Sequence, residues 1–274
     1  MSSQGKLLSL CFSCDDRNYK STITESLKMI SKFDDIDCVV IVQDLYKTLD
    51  NTEFDIQFLE NKGVNVIYQS GSGLSRSRNL GVSLCNGEYT WVLDGDVTFR
   101  LGVISELLGV LKNYSSAICA LIVSVLAIED GNYLKYFRTK EAIWDFHIMR
   151  VLSIGIIFNR RAQAFSNVWF DERLGLGTLY GGTEENDFLL RLKRASGLSV
   201  ASTSLAPLVH TSDSAERSIP TLNVLYARGR IARQLGGFFG LALAGYWVIR
   251  FSVRERTLKA AKMICYGYFK GLPL

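Results

Sequence analysis

Histidine, proline and long unbroken apolar runs are what this chain of 274 residues has least of. Two histidines, His147 and His210, are too few for a histidine-rich metal centre. The six cysteines, Cys11, Cys14, Cys38, Cys85, Cys119 and Cys265, lie mostly within apolar stretches, where a free thiol behaves as a small hydrophobe. No disulfide framework is implied. Cys11 and Cys14 form one Cys-x-x-Cys, but no second pair completes a zinc site. With three prolines and no low-complexity segment, the chain does not read as disordered or fibrous, and it shows no repeat of fixed period. Its start, Met1–Lys6, leads into a short apolar run that soon meets Asp15, Asp16 and Arg17, which is not a signal peptide, so a cytoplasmic location is expected. Gly71-Ser72-Gly73 lacks the third glycine and the later acid of a dinucleotide fingerprint, and no P-loop sequence occurs. Dehydrogenase and P-loop chemistry are therefore disfavoured.

What is present suits an ordinary folded enzyme: 48% hydrophobic and 21% charged residues, in a chain long enough to bury a sizeable core. Apolar runs at residues 7–13, 38–42, 64–68 and 89–93 read as buried strands. Between them, residues 19–32 and 74–85 show helical spacing of apolar residues, such as Ile23, Leu27 and Ile30. Strand-helix alternation of this kind predicts an α/β fold with a parallel sheet and helices on both faces. A further helix is expected over 101–111 and strands over 117–128 and 151–158, with residues 129–150 forming a hairpin or flap.

Each early strand ends in polar residues: Ser13, Gln43-Asp44, Gln69-Ser70 and, most conspicuously, Asp94-Gly95-Asp96. Ligands of open α/β sheets sit at such carboxyl ends. Two aspartates around a glycine suit a hard divalent cation that also holds phosphates, although Asp-Gly is equally ordinary turn chemistry. A second acidic element follows at Gly181-Gly182-Thr183-Glu184-Glu185-Asn186-Asp187. Thr183 is the expected cap, and acids in the first turn favour the positive end of a helix over 184–196.

Several of these pieces come in a distinctive order. Gly73-Leu74-Ser75-Arg76-Ser77-Arg78-Asn79-Leu80-Gly81, Gly87-Glu88-Tyr89 and Asp94-Gly95-Asp96 fall within about 25 residues, with Phe170-Asp171-Glu172 and Glu184-Glu185-Asn186-Asp187-Phe188-Leu189-Leu190-Arg191 farther on. This order resembles the family 2 glycosyltransferases of GT-A fold over roughly residues 7 to 210. The resemblance implies a Rossmann-like nucleotide-diphospho-sugar transferase with a mostly parallel sheet flanked by helices. It divides the chain into a catalytic domain, 1–214, with a nucleotide-sugar half over 1–100 and an acceptor half over 101–214, and a helical extension, 215–274.

The same resemblance assigns roles. Ser13, Asp44, Arg78, Asp94 and Asp96 would hold the donor, and Asp94, Asp96 and His210 would hold Mn2+ or Mg2+. Trp169, Gly181, Gly182 and Glu184 would face the acceptor. The base of an inverting transfer is the second acid of the pair, usually Asp and here Glu185, which leaves Asp187 and Glu184 as competitors. A UDP-sugar donor and a saccharide or lipid-linked acceptor in cell-surface polysaccharide synthesis are implied. The competing readings are a sugar-phosphate nucleotidyltransferase, which should carry a Gly-rich basic loop where this chain has Cys14-Asp15-Asp16-Arg17, and a non-catalytic scaffold of the same fold.

The last sixty residues differ in kind. Ten basic residues against Glu216 and Glu255 leave 215–274 at +8, so with +4 for the whole chain the first 214 residues carry −4. Within this tail, Leu235–Ile249 holds fifteen uncharged residues, short of the ~20 needed to span a bilayer. An anionic membrane surface, a helical hairpin packed on the catalytic domain, or an oligomer contact are the partners such a segment suits. Nucleic acid is disfavoured, since no RNA-binding motif accompanies the charge.

Overall fold

The computed structural model describes residues 5–15, 17, 19–44, 62–114, 117–210, 221–255 and 258–270. Strand β1 (Leu8–Asp15) is the middle of the molecule, and its register explains the order of the sheet. It pairs in parallel with β2 (Ile36–Asp44) on one side and β4 (Tyr89–Asp94) on the other, and β2 pairs in parallel with β3 (Val64–Ser70). A strand so enclosed has both faces buried, which is why Leu8–Cys14 reads as one apolar run. Leu8, Leu10 and Phe12 point to one core, shared with α1 (Tyr19–Ile30) through Ile23 and Met29 and with α3 (Leu101–Tyr114) through Ile104, Leu107 and Leu111. Cys11, Val39, Ile41 and Val92 point to the other, under α2 (Leu74–Leu84) and α6 (Glu184–Ser196). Cys11 and Cys14 therefore lie on opposite faces and share no site.

Beyond β4 the sheet continues through β9 (Ile156–Asn159), β6 (Ile118–Ile122) and β10 (Ser199–Ser202), giving the order β10-β6-β9-β4-β1-β2-β3. Strand β9 runs antiparallel to both neighbours, in a sheet otherwise parallel. An apolar run buried on both faces carries no mark of its direction, so sequence alone leaves the reversal open. The expected single strand over 117–128 is two strands in two sheets. The break falls at Val123-Ser124, where the Ser124 amide donates to the Leu205 carbonyl and its hydroxyl accepts from the Phe137 amide. After it, β7 (Val125–Ala127) joins a small sheet with β5 (Thr98–Phe99), β8 (Tyr133–Lys135) and β11 (Leu208–His210). Strands β7 and β8 form the expected hairpin, turned by Asp130-Gly131-Asn132, and the single-turn helix α4 (Asp145–Ile148) follows. Strand β10 has no apolar signature in Ser199-Val200-Ala201-Ser202 and was not expected.

A short helix α5 (Arg160–Ser166) is capped by the Asn159 side chain. The tail comprises α7 (Leu222–Leu235), α8 (Gly237–Glu255) and α9 (Leu258–Lys270). Helices α7 and α9 touch backbone to backbone. A Cβ at Gly229 would overlap the Ile264 carbonyl oxygen, and one at Gly267 the Tyr226 carbonyl oxygen, so only glycine allows this crossing. Leu225, Phe251, Ala260 and Ile264 make a small core of their own. Among the described residues no helix is long and apolar enough to cross a membrane. Helix α8 nonetheless exposes Phe238, Phe239, Leu241, Ile249 and Val253.

Candidate active site

Register alone places the first acidic element, since Asp94 at the end of β4 stands opposite Ser13, two residues before the end of β1. Gly95 turns the chain against Cys14, where a Cβ would come within 2.5 Å of the cysteine Cβ, and the Thr22 hydroxyl donates to the Gly95 carbonyl at 3.0 Å. This fixes where Asp96 emerges. Its carboxylate, 48% exposed, lies 3.2 Å from the Nε2 of His210, delivered by β11 of the small sheet. The His210 contact holds the Asp96 carboxyl below the ordinary carboxylate value.

Arg78, on α2 and wholly buried, joins the two acidic elements. Its Nη2 donates to Asp94 Oδ1 at 2.9 Å and its Nη1 to Glu184 Oε1 at 2.9 Å, and its guanidinium lies 5.7 Å from the centre of the Phe170 ring. Phe170 is in turn stacked on Phe188 of α6, and its backbone is gripped by both amide atoms of Asn79. The sequence suggests an arginine offered to a diphosphate at a helix start. The structure turns Arg78 inward, where buried Glu184 requires a cation beside it and Asp94, about a third exposed, shares that cation, and leaves Arg76 exposed.

At α6 the acid side chains have very different surroundings. Asp187 is fully buried and its two oxygens are shared by three donors. Arg191 Nε reaches Oδ2 at 2.7 Å, while Arg230 Nη1 and Gln234 Nε2 of α7 reach Oδ1 at 2.8 and 2.7 Å. Glu185, two residues earlier and half-buried, faces the opposite situation. Burial, and then the neighbouring Glu184 carboxylate, push its carboxyl well above the ordinary value despite Arg78 nearby. A carboxyl so poised is suited to take up a proton.

The expected Thr183 cap is not made. Thr183 has a left-handed backbone (φ 67°) that withdraws its hydroxyl, which is buried without a partner among the described residues. Backbone strain thus sits directly before the acid pair. Gly181 and Gly182 lie under Val224 of α7. Trp169 is partly exposed, with its ring nitrogen donating to Asn167, and its backbone carbonyl accepts from Arg191.

Below the start of α2, the carboxyl edge of the sheet holds polar groups with no partner among the described residues. They are the Ser13 hydroxyl, the Ser77 hydroxyl and both amide atoms of Gln69, all buried. Alternation puts Ser13, Gln43 and Gln69 on the α2 face of the sheet, and Gln43 accepts from the Gly73 amide at 3.1 Å. Buried polar groups are costly unless satisfied, so this edge is built for a polar ligand. In the sequence Gln69 is only the end of a strand, and Ser77 has no signal beyond its helix. The Asp44 side chain lies outside the described residues, although its strand position does not. Among the described residues no group of three or more His, Cys, Asp or Glu side chains is gathered tightly enough to hold a metal ion unaided.

The profile of glycosyl transferase family 2 matches residues 17–172. No curated protein matches the sequence. Among solved structures, S. aureus TarS 1-349 in complex with UDP-GlcNAc superposes with a TM-score of 0.69 at 16% identity, covering 97% of this chain and 82% of that one. The same protein in complex with UDP gives 0.64 at 17% identity, over 92% of this chain and 74% of that one.

Proposed function

As this chain belongs to glycosyl transferase family 2 and is a glycosyltransferase, we propose that its donor is a uridine diphosphate sugar and that the sugar passes with inversion to a hydroxyl of a saccharide or lipid-linked saccharide of the cell surface. The observation that carries this reading is the pair of acidic elements joined by Arg78, each with one acid that no arginine pairs among the described residues, Asp96 in one and Glu185 in the other.

The donor base and ribose enter over Ser13, Gln69 and Asp94, where orphaned polar groups await a partner. Glu185 takes the proton of the acceptor hydroxyl. The acceptor oxygen bonds to the anomeric carbon from one side, the bond to the diphosphate oxygen breaks on the other, and UDP departs. A positioned base supplies on the order of 10²–10⁴ in rate. Asp96 and His210 form a two-residue set that fits Mn2+ or Mg2+, because such ions are often held by one or two protein groups plus substrate phosphates. The ion would neutralise charge on the leaving diphosphate. Asp94, whose Oδ1 is committed to Arg78, is less free to ligate.

The exposed apolar residues of α8, in a tail that also carries Arg250, Lys259, Lys262 and Lys270, support peripheral attachment to an anionic membrane, where a lipid-linked acceptor would be met. Replacing Phe238, Leu241 and Ile249 together by Ser should abolish co-sedimentation with anionic vesicles; binding that survives, or that ignores salt, contradicts this attachment.

The donor reading is tested by thermal melting with a panel of nucleotide sugars, with and without Mn2+. UDP-sugars, UDP-GlcNAc first, should raise the midpoint, and Asp96→Ala should remove the part that needs Mn2+. Stabilisation by other nucleotides but by no UDP-sugar would refute it.

A further inference from the structure

The tail meets the catalytic helix at one point of chemistry. Asp187 of α6 is fully buried, and two of the three side chains that satisfy it, Arg230 and Gln234, come from α7. Arg230 also approaches Asp171 Oδ2 at 3.5 Å, in the loop that brings Phe170 to Arg78. Beside this contact Tyr226 of α7 stacks on Tyr180 with ring centres 5.4 Å apart, and Ala227 packs with Leu174 and Tyr180. Arg194 of α6 donates to the Gln234 carbonyl. Arg191 supplies Asp187 from within its own helix, so the α7 donors are not needed to make α6 a helix. What they add is a fixed position for its first turn relative to the loop over 171–183.

We propose that Arg230 and Gln234 are positioning residues for the transfer, acting through Asp187 to hold the first turn of α6, and with it Glu185, at the reacting centre. The tail is then part of the active site rather than only an attachment device, and a force or ligand that shifts α7 changes the rate of transfer. Thr183 makes the need concrete. Its left-handed backbone is strained and persists only where surroundings over-determine it. The α7 clamp, with Val224 against the two glycines before Thr183, is the surrounding that does so. The proposal rests on Glu185 as the base only for its kinetic consequence.

Two readouts separate the clamp from the donor reading. The first is hydrogen exchange on the full chain, which needs no substrate. Arg230→Met should speed exchange of the amides over 183–188 by about tenfold or more, with those of β1, β2 and the second half of α6 unchanged. Arg230→Lys, which can still donate to Asp187, should restore most of the protection. Arg233→Ala, which removes a tail arginine that donates to the Phe269 carbonyl, should leave it as in the parent. The second is UDP release from UDP-GlcNAc with Mn2+. Here Arg230→Met should lower kcat about tenfold while the donor KM stays within about twofold, and Asp187→Asn/Arg230→Met should be no worse than Asp187→Asn alone. Should Arg230→Met yield only aggregate, Gln234→Leu takes its place, with faster exchange over 183–188 at an unshifted melting midpoint as the required result. Unchanged exchange over 183–188 in the soluble variants overturns the clamp. So does multiplicative loss in the double variant. Failure of the parent chain to release UDP speaks against the donor and leaves the exchange result to decide.

Discussion

The two acidic elements of the site are built alike and differ in what surrounds their acids. At the strand tip, Asp94 is tied to buried Arg78 while Asp96 stands open beside His210. At the helix start, Glu184 is tied to the same arginine and Asp187 to three donors, while Glu185 has burial and a like charge for neighbours. In each element tied acids fix the backbone and another acid is left for chemistry. The two open acids are poised in opposite senses, Asp96 held down and Glu185 pushed up. This separation is what an anionic ligand of a metal ion and a proton acceptor each require.

The sharpest way to break the parallel is through the residue common to both. Arg78→Ala leaves Asp94 and Glu184 facing each other without a cation, and removing one partner of a buried pair costs about 3–5 kcal/mol. The melting midpoint should fall by roughly 10 °C. A fall of only a degree or two would mean the two elements are held together by something else.

Next in size is Glu185, for which the sign is opposite. Its carboxyl is raised in the folded state, so its contribution is fully favourable below the ordinary Glu value and is lost as pH rises. Glu185→Gln should therefore stabilise the chain near neutrality by roughly 0.5–2 kcal/mol and make no difference at acid pH, as read from urea midpoints across pH. Destabilisation at neutrality would place Glu185 in the same class as Asp187. Smallest is Asp96, whose carboxyl is lowered and half-exposed, so its contribution is present above the ordinary Asp value and lost as pH falls. Asp96→Asn should cost only a few tenths of a kcal/mol at neutrality and nothing in strong acid.

Much of this was legible beforehand because the relevant signals are local. Apolar runs of five to seven residues with polar ends gave β1 to β4 to within two or three residues, and α6 was placed at the residues it occupies. Strands β1, β2 and β4 are buried on both faces, so composition alone marks them. The direction of β9, the split of β6 from β7 and the existence of β10 depend instead on which distant segment supplies the partner. The site divides in the same way. Acids at the strand tip and helix start can be read from spacing, but the inward turn of Arg78, the orphaned Gln69 and Ser77, and the Asp187 contacts with Arg230 and Gln234 join residues up to 106 apart in sequence. Family resemblance offers Asp187 and Glu185 as rival bases. Only the packed tail shows that Asp187 has no oxygen left without a donor.

The most direct test of that distinction is a comparison of Glu185→Gln and Asp187→Asn, both measured for UDP-sugar affinity by calorimetry and for UDP release or transfer. Glu185→Gln keeps shape and helix start while removing the proton acceptor. It should bind donor as the parent does and lose about 10²-fold or more in kcat. Asp187→Asn should lose stability first and rate only in part. A Glu185→Gln chain that transfers normally, beside a folded, donor-binding Asp187→Asn chain that does not transfer at all, would contradict the account and move the base to Asp187.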